Sequence, residues 1–348
     1  MTEVYFAVPG NIDTPTGGYG YDRRLISELA SFGVNVNHVE LPASFPSPSN
    51  SDCEAVKKLT TGLPSDATLI VDGLAYGAFP KDLAEKITQR VIALVHHPLA
   101  LESGLSKERA KTLADSEKAS LSFAEHVLTT SEATKRILEK DFGVPAEKIT
   151  VAEPGTDPAH RATGTGTPMQ LLCVGTILKR KGYDILIDAL EPLKDRDWRL
   201  TIAGADDRDP ETAAALRLQI ANARLDDQIT LAGVVVPATL DRFYDSTDIF
   251  IMPSLFEGYG MVLGEAMARG LPIICTTGGA AAETVPEGAA IKVPPGDVDA
   301  LNRVIDSLLD DRKQRRKLAD ASWEAGRKLP TWNETARRVA AVIMGLKA

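Results

Sequence analysis

The stretch that most restricts the fold of this chain is Pro253 to Pro286, PSLFEGYGMVLGEAMARGLPIICTTGGAAAETVP. Two short apolar runs, Asp248–Met252 and Pro272–Cys275, flank the helix-forming segment Met261–Arg269. That pattern predicts a βαβ unit and therefore a parallel sheet. The connecting loop, Ser254–Gly260, is rich in glycine and ends where the helix begins. A helix start offers amide donors and the positive end of the helix dipole, which suits a phosphate. Glu257 and Glu265 frame the site. Carboxylates repel phosphates, so they fit only if they accept from neutral hydroxyls. One at each end of a diphosphate would hold a sugar and a ribose.

Glu257 and Glu265 stand with seven residues between them, and Glu265-Ala-Met-Ala-Arg-Gly-Leu-Pro272 and Gly278-Gly279 follow in register. This arrangement resembles the signature of the family 4 glycosyltransferases. The resemblance implies the GT-B fold, two Rossmann-like α/β domains facing across a cleft. It also implies a nucleoside diphosphate sugar as donor and transfer with retention at the anomeric carbon. The bland alternative is an ordinary buried βαβ unit with surface glutamates.

A length of 348 residues suits two domains, and 44% hydrophobic residues are enough for two cores. The net charge of −9 argues against a nucleic-acid partner, which needs a basic stripe. Cys53, Cys173 and Cys275 have no metal-ligand spacing, and the last two lie in apolar runs as buried thiols. With no leader before Val4 and no apolar run of membrane-spanning length, a cytoplasmic setting is expected. Peripheral membrane docking stays open through the charged helix expected at 105–123.

The first half alternates strands and helices. Strand Glu3–Val8 leads into a loop with Gly17-Gly18-Tyr19-Gly20, then a helix from Tyr21. A dinucleotide fingerprint fails here, because its third glycine would fall at Arg23. The resemblance instead lets Gly17 and Gly18 bring backbone close to the donor. Pro42–Asp52 reads as a mobile surface loop. Strand Arg90–Val95 delivers His96-His97-Pro98 at its carboxyl end, where open α/β sheets bind ligands. Adjacent histidines on a strand face opposite ways and lack a third ligand, so no metal is expected. The resemblance places His96 near the donor sugar and the reaction centre. The Gly/Thr/Pro-rich stretch from Glu153 to Pro168 reads as a linker.

The second half restarts the pattern. Lys179-Arg180-Lys181 precede the helix at Tyr183, and fixed cations there would stabilise charge developing on a leaving diphosphate. Relatives often carry an arginine after the glycine, but Thr176 occupies that position, so the role passes to Arg180 and Lys181. Asp206-Asp207-Arg208-Asp209 offers a metal motif after a strand, but Asp209-Pro210 is ordinary helix-start chemistry and the metal reading is declined. By resemblance, Gly175, Gly204, Val234, Gly258, Tyr259, Gly260, Met261, Val262, Leu263 and Glu265 line the donor site.

The expected organisation is an acceptor-side domain at 1–160, a nucleotide-sugar domain at 161–328, and a C-terminal helix at 329–348 crossing back to the first. The expected chemistry is metal-independent hexosyl transfer to an acceptor hydroxyl. His96, Glu257, Lys181 and Arg180 serve catalysis, and the sugar nucleotide is a co-substrate with no separate cofactor. UDP is favoured over GDP on family frequency alone; the acceptor is a lipid, glycan or small molecule. One rival is a nucleotide-sugar epimerase, disfavoured because the N-terminal half shows no clear carboxylate pair at a strand end. The other is a non-catalytic nucleotide-sugar-binding protein; turnover with donor and acceptor separates the two.

Overall fold

A computed structural model of the chain describes residues 2 to 345. Met1 and residues 346–348, the end of the expected C-terminal helix, lie outside the described residues. The chain divides into two compact units. The first holds the chain up to Thr14, Gly18–Gly155 and the segment from Pro330; the second holds Thr156–Leu329 with Pro15–Gly17. The expected linker, Glu153–Pro168, carries no helix or strand.

In the first unit β1 (Thr2–Pro9), α1 (Gly17–Leu29), β2 (Val34–Leu41), α2 (Asn50–Thr61), β3 (Thr68–Asp72), α3 (Gly73–Tyr76), α4 (Lys81–Lys86) and β4 (Arg90–Val95) follow in turn. Then come α5 (Lys107–Leu121), β5 (His126–Thr129), α6 (Glu132–Lys140) and β6 (Ile149–Val151). The strands form one parallel sheet in the order β2-β1-β3-β4-β5-β6. A parallel sheet covered on both faces needs strands that are apolar throughout. All five residues of β3 are buried, as are all but the first of β4. Ala7, Leu69 and Val91 face one core, which Tyr76, Phe79 and Leu113 complete. The chain runs to β2 on one side of β1 and to β3 on the other. The crevice beyond the carboxyl ends of β1 and β3 is therefore the switch point where such sheets bind ligands.

Two expectations change. Gly17–Gly20 are the first turn of α1, not a loop before it. The stretch 42–52 is packed rather than free: Phe45 is buried against Phe79, Arg109 donates to Pro46 O, and Ser49 caps α2 with Asp52 in a capping box.

The second unit comprises β7 (Met169–Val174), α7 (Tyr183–Leu190), β8 (Trp198–Ala203), α8 (Pro210–Ala223), β9 (Ile229–Gly233), α9 (Pro237–Ser246) and β10 (Ile249–Met252). It continues with α10 (Met261–Ala268), β11 (Ile273–Thr276), α11 (Ala281–Thr284), β12 (Ala290–Val293), α12 (Val298–Asp310) and α13 (Arg312–Gly326). Its parallel sheet has the order β12-β11-β10-β7-β8-β9. Here the switch point lies beyond β7 and β10, where Gly175 and the loop Pro253–Gly260 emerge.

The chain then returns to the first unit as α14 (Trp332–Ile343), started by a Thr331–Glu334 capping box. Thr335 donates to Glu153 O at 2.6 Å, and Arg90 donates to Ile343 O and Val342 O. Trp332 is buried, with Tyr21 at 5.7 Å and the Arg24 guanidinium over its ring at 5.3 Å. No described helix is long and apolar enough to cross a membrane. The helix at 107–121 packs Leu113 and Leu121 inward together with the buried Glu117.

Candidate functional site

In the second unit, Gly204 comes so close to the end of β7 that a Cβ there would stand 2.1 Å from Gly175 O. Tyr183 Oη donates to the same carbonyl at 2.9 Å. Gly278 is equally constrained, a Cβ there meeting Leu255 O at 2.3 Å. These glycines let the turn after β11 close on the loop after β10. Thr276 adds a hydrogen bond to Ser254 O, and Thr284 donates to Tyr259 O at 2.6 Å. The loop is thereby held on both sides as it enters α10 at Met261.

Glu257 sits in this loop and is 6% exposed. Lys181 Nζ lies 2.7 Å from Oε1 and Arg180 Nη1 3.3 Å from Oε2. Arg180 also donates to Phe256 O at 2.8 Å. Burial alone would raise the Glu257 pKa, but Lys181 and Arg180 outweigh it and hold the carboxyl down to about 2. An isolated buried carboxylate costs several kcal/mol, so the two cations are what allows Glu257 to stay ionised here. The structure thus joins Glu257, expected at the sugar hydroxyls, to the two cations expected at the leaving diphosphate.

Glu265 lies one turn into α10 and is half-buried. Its Oε2 accepts from Tyr244 Oη at 2.7 Å, and Arg269 donates to its backbone carbonyl at 3.2 Å. Burial pushes its carboxyl up, against the Tyr244 hydrogen bond and Arg269. The sequence analysis gave no separate role to Tyr244 or Arg269; they reach Glu265 from α9 and from the end of α10. Val234, just past β9, is 60% exposed. Asp209 is used as a helix cap, accepting from Thr212 N and Oγ1, and Asp206 pairs with Arg217.

In the first unit, His96 follows β4, and Gly18 packs beside its ring: a Cβ on Gly18 would lie 3.3 Å from His96 Cδ2. His96 Nε2 is 3.2 Å from Asp22 Oδ1 and 3.6 Å from Asp72 Oδ2. Asp22 and Asp72 are 0% and 2% exposed. The sequence reading found no carboxylate pair at a strand end; the structure corrects it. Asp72 ends β3 at the switch point, and α1 brings in Asp22, one turn after Gly18. Polar atoms of the three lie within 4.8 Å of one another. His97 turns elsewhere, to Glu102 at 3.4 Å.

Two doubly wound units, each with polar residues at its switch point, define the GT-B class. Residues 157–324 match the family model for group 1 glycosyl transferases, and residues 70–160 match that for Glycosyltransferase Family 4. The chain belongs to the family 4 glycosyltransferases.

The chain is similar to the mannosylfructose-phosphate synthase of Agrobacterium fabrum, 26% identical over 63% of this chain and 52% of that protein. It is 25% identical to an MMP α-(1→4)-mannosyltransferase of Mycolicibacterium hassiacum, over 86% of this chain and 75% of that one. The first of these matches spans only about half of the relative's length. Among solved structures, a sucrose-phosphate synthase from Thermosynechococcus elongatus superposes with a TM-score of 0.80 at 21% identity, covering 98% of each chain. Anabaena HepE, solved with UDP-glucose, gives 0.77 at 16% identity, covering 98% of this chain and 100% of that one.

Proposed function

We propose that this protein is a retaining glycosyltransferase that moves a sugar from a nucleoside diphosphate sugar to an acceptor hydroxyl. The observation that carries this reading is the buried Glu257 held between Lys181 and Arg180 beside the start of α10. A diphosphate seated there meets two cations and the helix dipole near Val262 and Leu263. Glu257 positions the sugar hydroxyls, Glu265 the ribose diol, and the exposed Val234 region lies against the base. Gly17, Gly18, Gly175, Gly204 and the run Gly258–Met261 supply close backbone approach. His96 serves the reacting centre.

In this reading the acceptor oxygen forms a bond to the anomeric carbon on the face from which the diphosphate departs. The acceptor proton passes to a β-phosphate oxygen, and the nucleoside diphosphate leaves. Arg180 and Lys181 meet the charge that develops on it, so the mechanism assigns no step to a metal. UDP is favoured as the carrier; HepE, of the same fold, was solved with UDP-glucose. The acceptor is a lipid, glycan or small-molecule hydroxyl.

A thermal-shift screen with UDP, GDP, ADP and nicotinamide dinucleotides, with and without magnesium, tests the reading. A metal-independent rise with one nucleoside diphosphate supports it and selects the donor. A rise that requires magnesium overturns the metal-independent mechanism. A rise with a nicotinamide dinucleotide alone overturns the donor assignment.

A further inference from the structure

The least explained polar group in the molecule is the carboxylate pair of the first unit. Asp22 and Asp72 are buried side by side, and His96 is the ion-pair partner of both among the described residues. Asp72 Oδ1 is used in capping α3, accepting from Leu74 N at 2.6 Å, so its Oδ2 is the oxygen turned to the imidazole. Asp22 Oδ2 is buried with no hydrogen-bond partner. Two carboxylates removed from water need a positive charge nearby, and a histidine nitrogen close to both is the group placed to supply it.

We propose that Asp22 and Asp72 are positioning residues that hold His96 as an imidazolium, making it a fixed cation and N–H donor rather than a general base. The inference rests on the glycosyltransferase reading for where His96 acts, but not for its charge. Nε2–H points to the carboxylates. An imidazolium also carries a proton on Nδ1, so neither ring nitrogen can accept one from an acceptor hydroxyl. That agrees with a mechanism in which the leaving phosphate takes the acceptor proton.

The other groups facing the ring do not offset this. Tyr21 of α1 meets it edge-on at 5.4 Å, donates its hydroxyl to Ala152 O, and stays neutral because burial raises its pKa far above the ordinary value. Thr130, after β5, donates to the His96 carbonyl at 3.3 Å. Burial alone would lower the His96 pKa, but Asp22 and then Asp72 reverse the direction and raise it. Burial also pushes the Asp22 carboxyl up, against the pull of His96, and Asp72 pushes the same way.

The test is an NMR pH titration of the full chain labelled in its five histidines, with His96 assigned by the signal lost in His96→Gln. His96 is expected to remain charged beyond pH 8 in the wild type. In Asp22→Asn, and separately in Asp72→Asn, its midpoint should fall toward the ordinary value of about 6.5. A wild-type midpoint near that value overturns the proposal, whatever the enzyme transfers. Initial rates supply the second arm. Wild-type transfer should be level from about pH 7.5 to 8.5, above the range in which the raised Asp22 carboxyl ionises. Asp22→Asn should lose rate with rising pH, because only about one in a hundred histidines titrating near 6.5 is charged at pH 8.5. A variant profile parallel to wild type, with the His96 midpoint lowered, overturns the positioning role while leaving the glycosyltransferase assignment intact. Absence of transfer to any acceptor, with His96 charged, counts against that assignment and not against the charge state.

Discussion

Tyr244 donates its hydroxyl to Glu265 across 2.7 Å while its ring lies 4.4 Å from the Arg269 guanidinium carbon. The carboxylate assigned to the ribose is therefore aimed by a side chain from another helix. Tyr244→Phe keeps the stacking on Phe250 and removes one hydrogen bond, worth about 1 kcal/mol or somewhat more with a charged acceptor. Affinity for the cognate nucleoside diphosphate should fall about five-fold or more. Calorimetry with the 2′-deoxy nucleotide should show a smaller loss. Equal losses for both ligands would separate Tyr244 from ribose recognition.

Lys181→Ala removes the shorter ion pair to Glu257 and leaves Arg180 to carry it alone. The transfer rate should fall by about a hundred-fold or more, the range seen when one transition-state donor is lost. The melting temperature should fall as well, because Glu257 stays buried with half its compensation. Undiminished transfer would remove Lys181 from the mechanism.

The same ion cluster has an acid limit. The Glu257 carboxyl is held down to about 2, below its ordinary 4.5, so its contribution to stability is in place above 4.5 and is lost as pH falls toward 2. Denaturant unfolding should therefore show wild type ahead of Glu257→Gln at pH 6, with the gap closing near pH 3. A gap that stays constant across that span would mean the pair adds no ionic stability.

Glu117 works in the opposite sense. It is buried in α5 and accepts from Leu99 N at 2.9 Å, in the turn that follows His96. Burial pushes its carboxyl up to about 8, with the Leu99 hydrogen bond opposing. Its contribution is thus complete below 4.5 and lost as pH rises through about 8. Glu117→Gln keeps an acceptor for Leu99 and cannot ionise, so the fall in melting temperature from pH 5 to 8.5 should flatten. Parallel curves for the two proteins would sink this account.

Gly278→Ala would place a Cβ 2.3 Å from Leu255 O, a backbone atom that cannot swing aside. The loop bearing Glu257 has to move, and both melting temperature and nucleoside diphosphate binding should drop. Gly17→Ala is the control, since a Cβ there meets nothing within 4 Å and stability should be unchanged. Similar stability losses for the two variants would rule out the close approach as the cause.

How far the sequence could be read follows from chain distance. Glu257, Glu265 and Gly278 lie within one βαβ unit, so their spacing alone placed them around one loop. The ion cluster needed one step more: Lys181 and Glu257 meet only because β7 and β10 are neighbours. Asp22, Asp72 and His96 come from α1, β3 and β4, and no local pattern joins them before the sheet order is known. Asp22 in particular looks like a surface residue in a helix full of charge. The glycines at 17–20 read as a loop because glycine is a poor helix former, yet the helix starts there, with Gly18 against the His96 ring.

The return of α14 sets an order of assembly. The second unit has all of its long C-terminal stretch once Leu329 is made, whereas the first still lacks Trp332, Thr335 and the helix that Arg90 holds. On the ribosome the half made first is therefore the half that finishes last, waiting on residues made only after the second unit. A truncation that removes α14 is, in folding terms, a lesion in the N-terminal half.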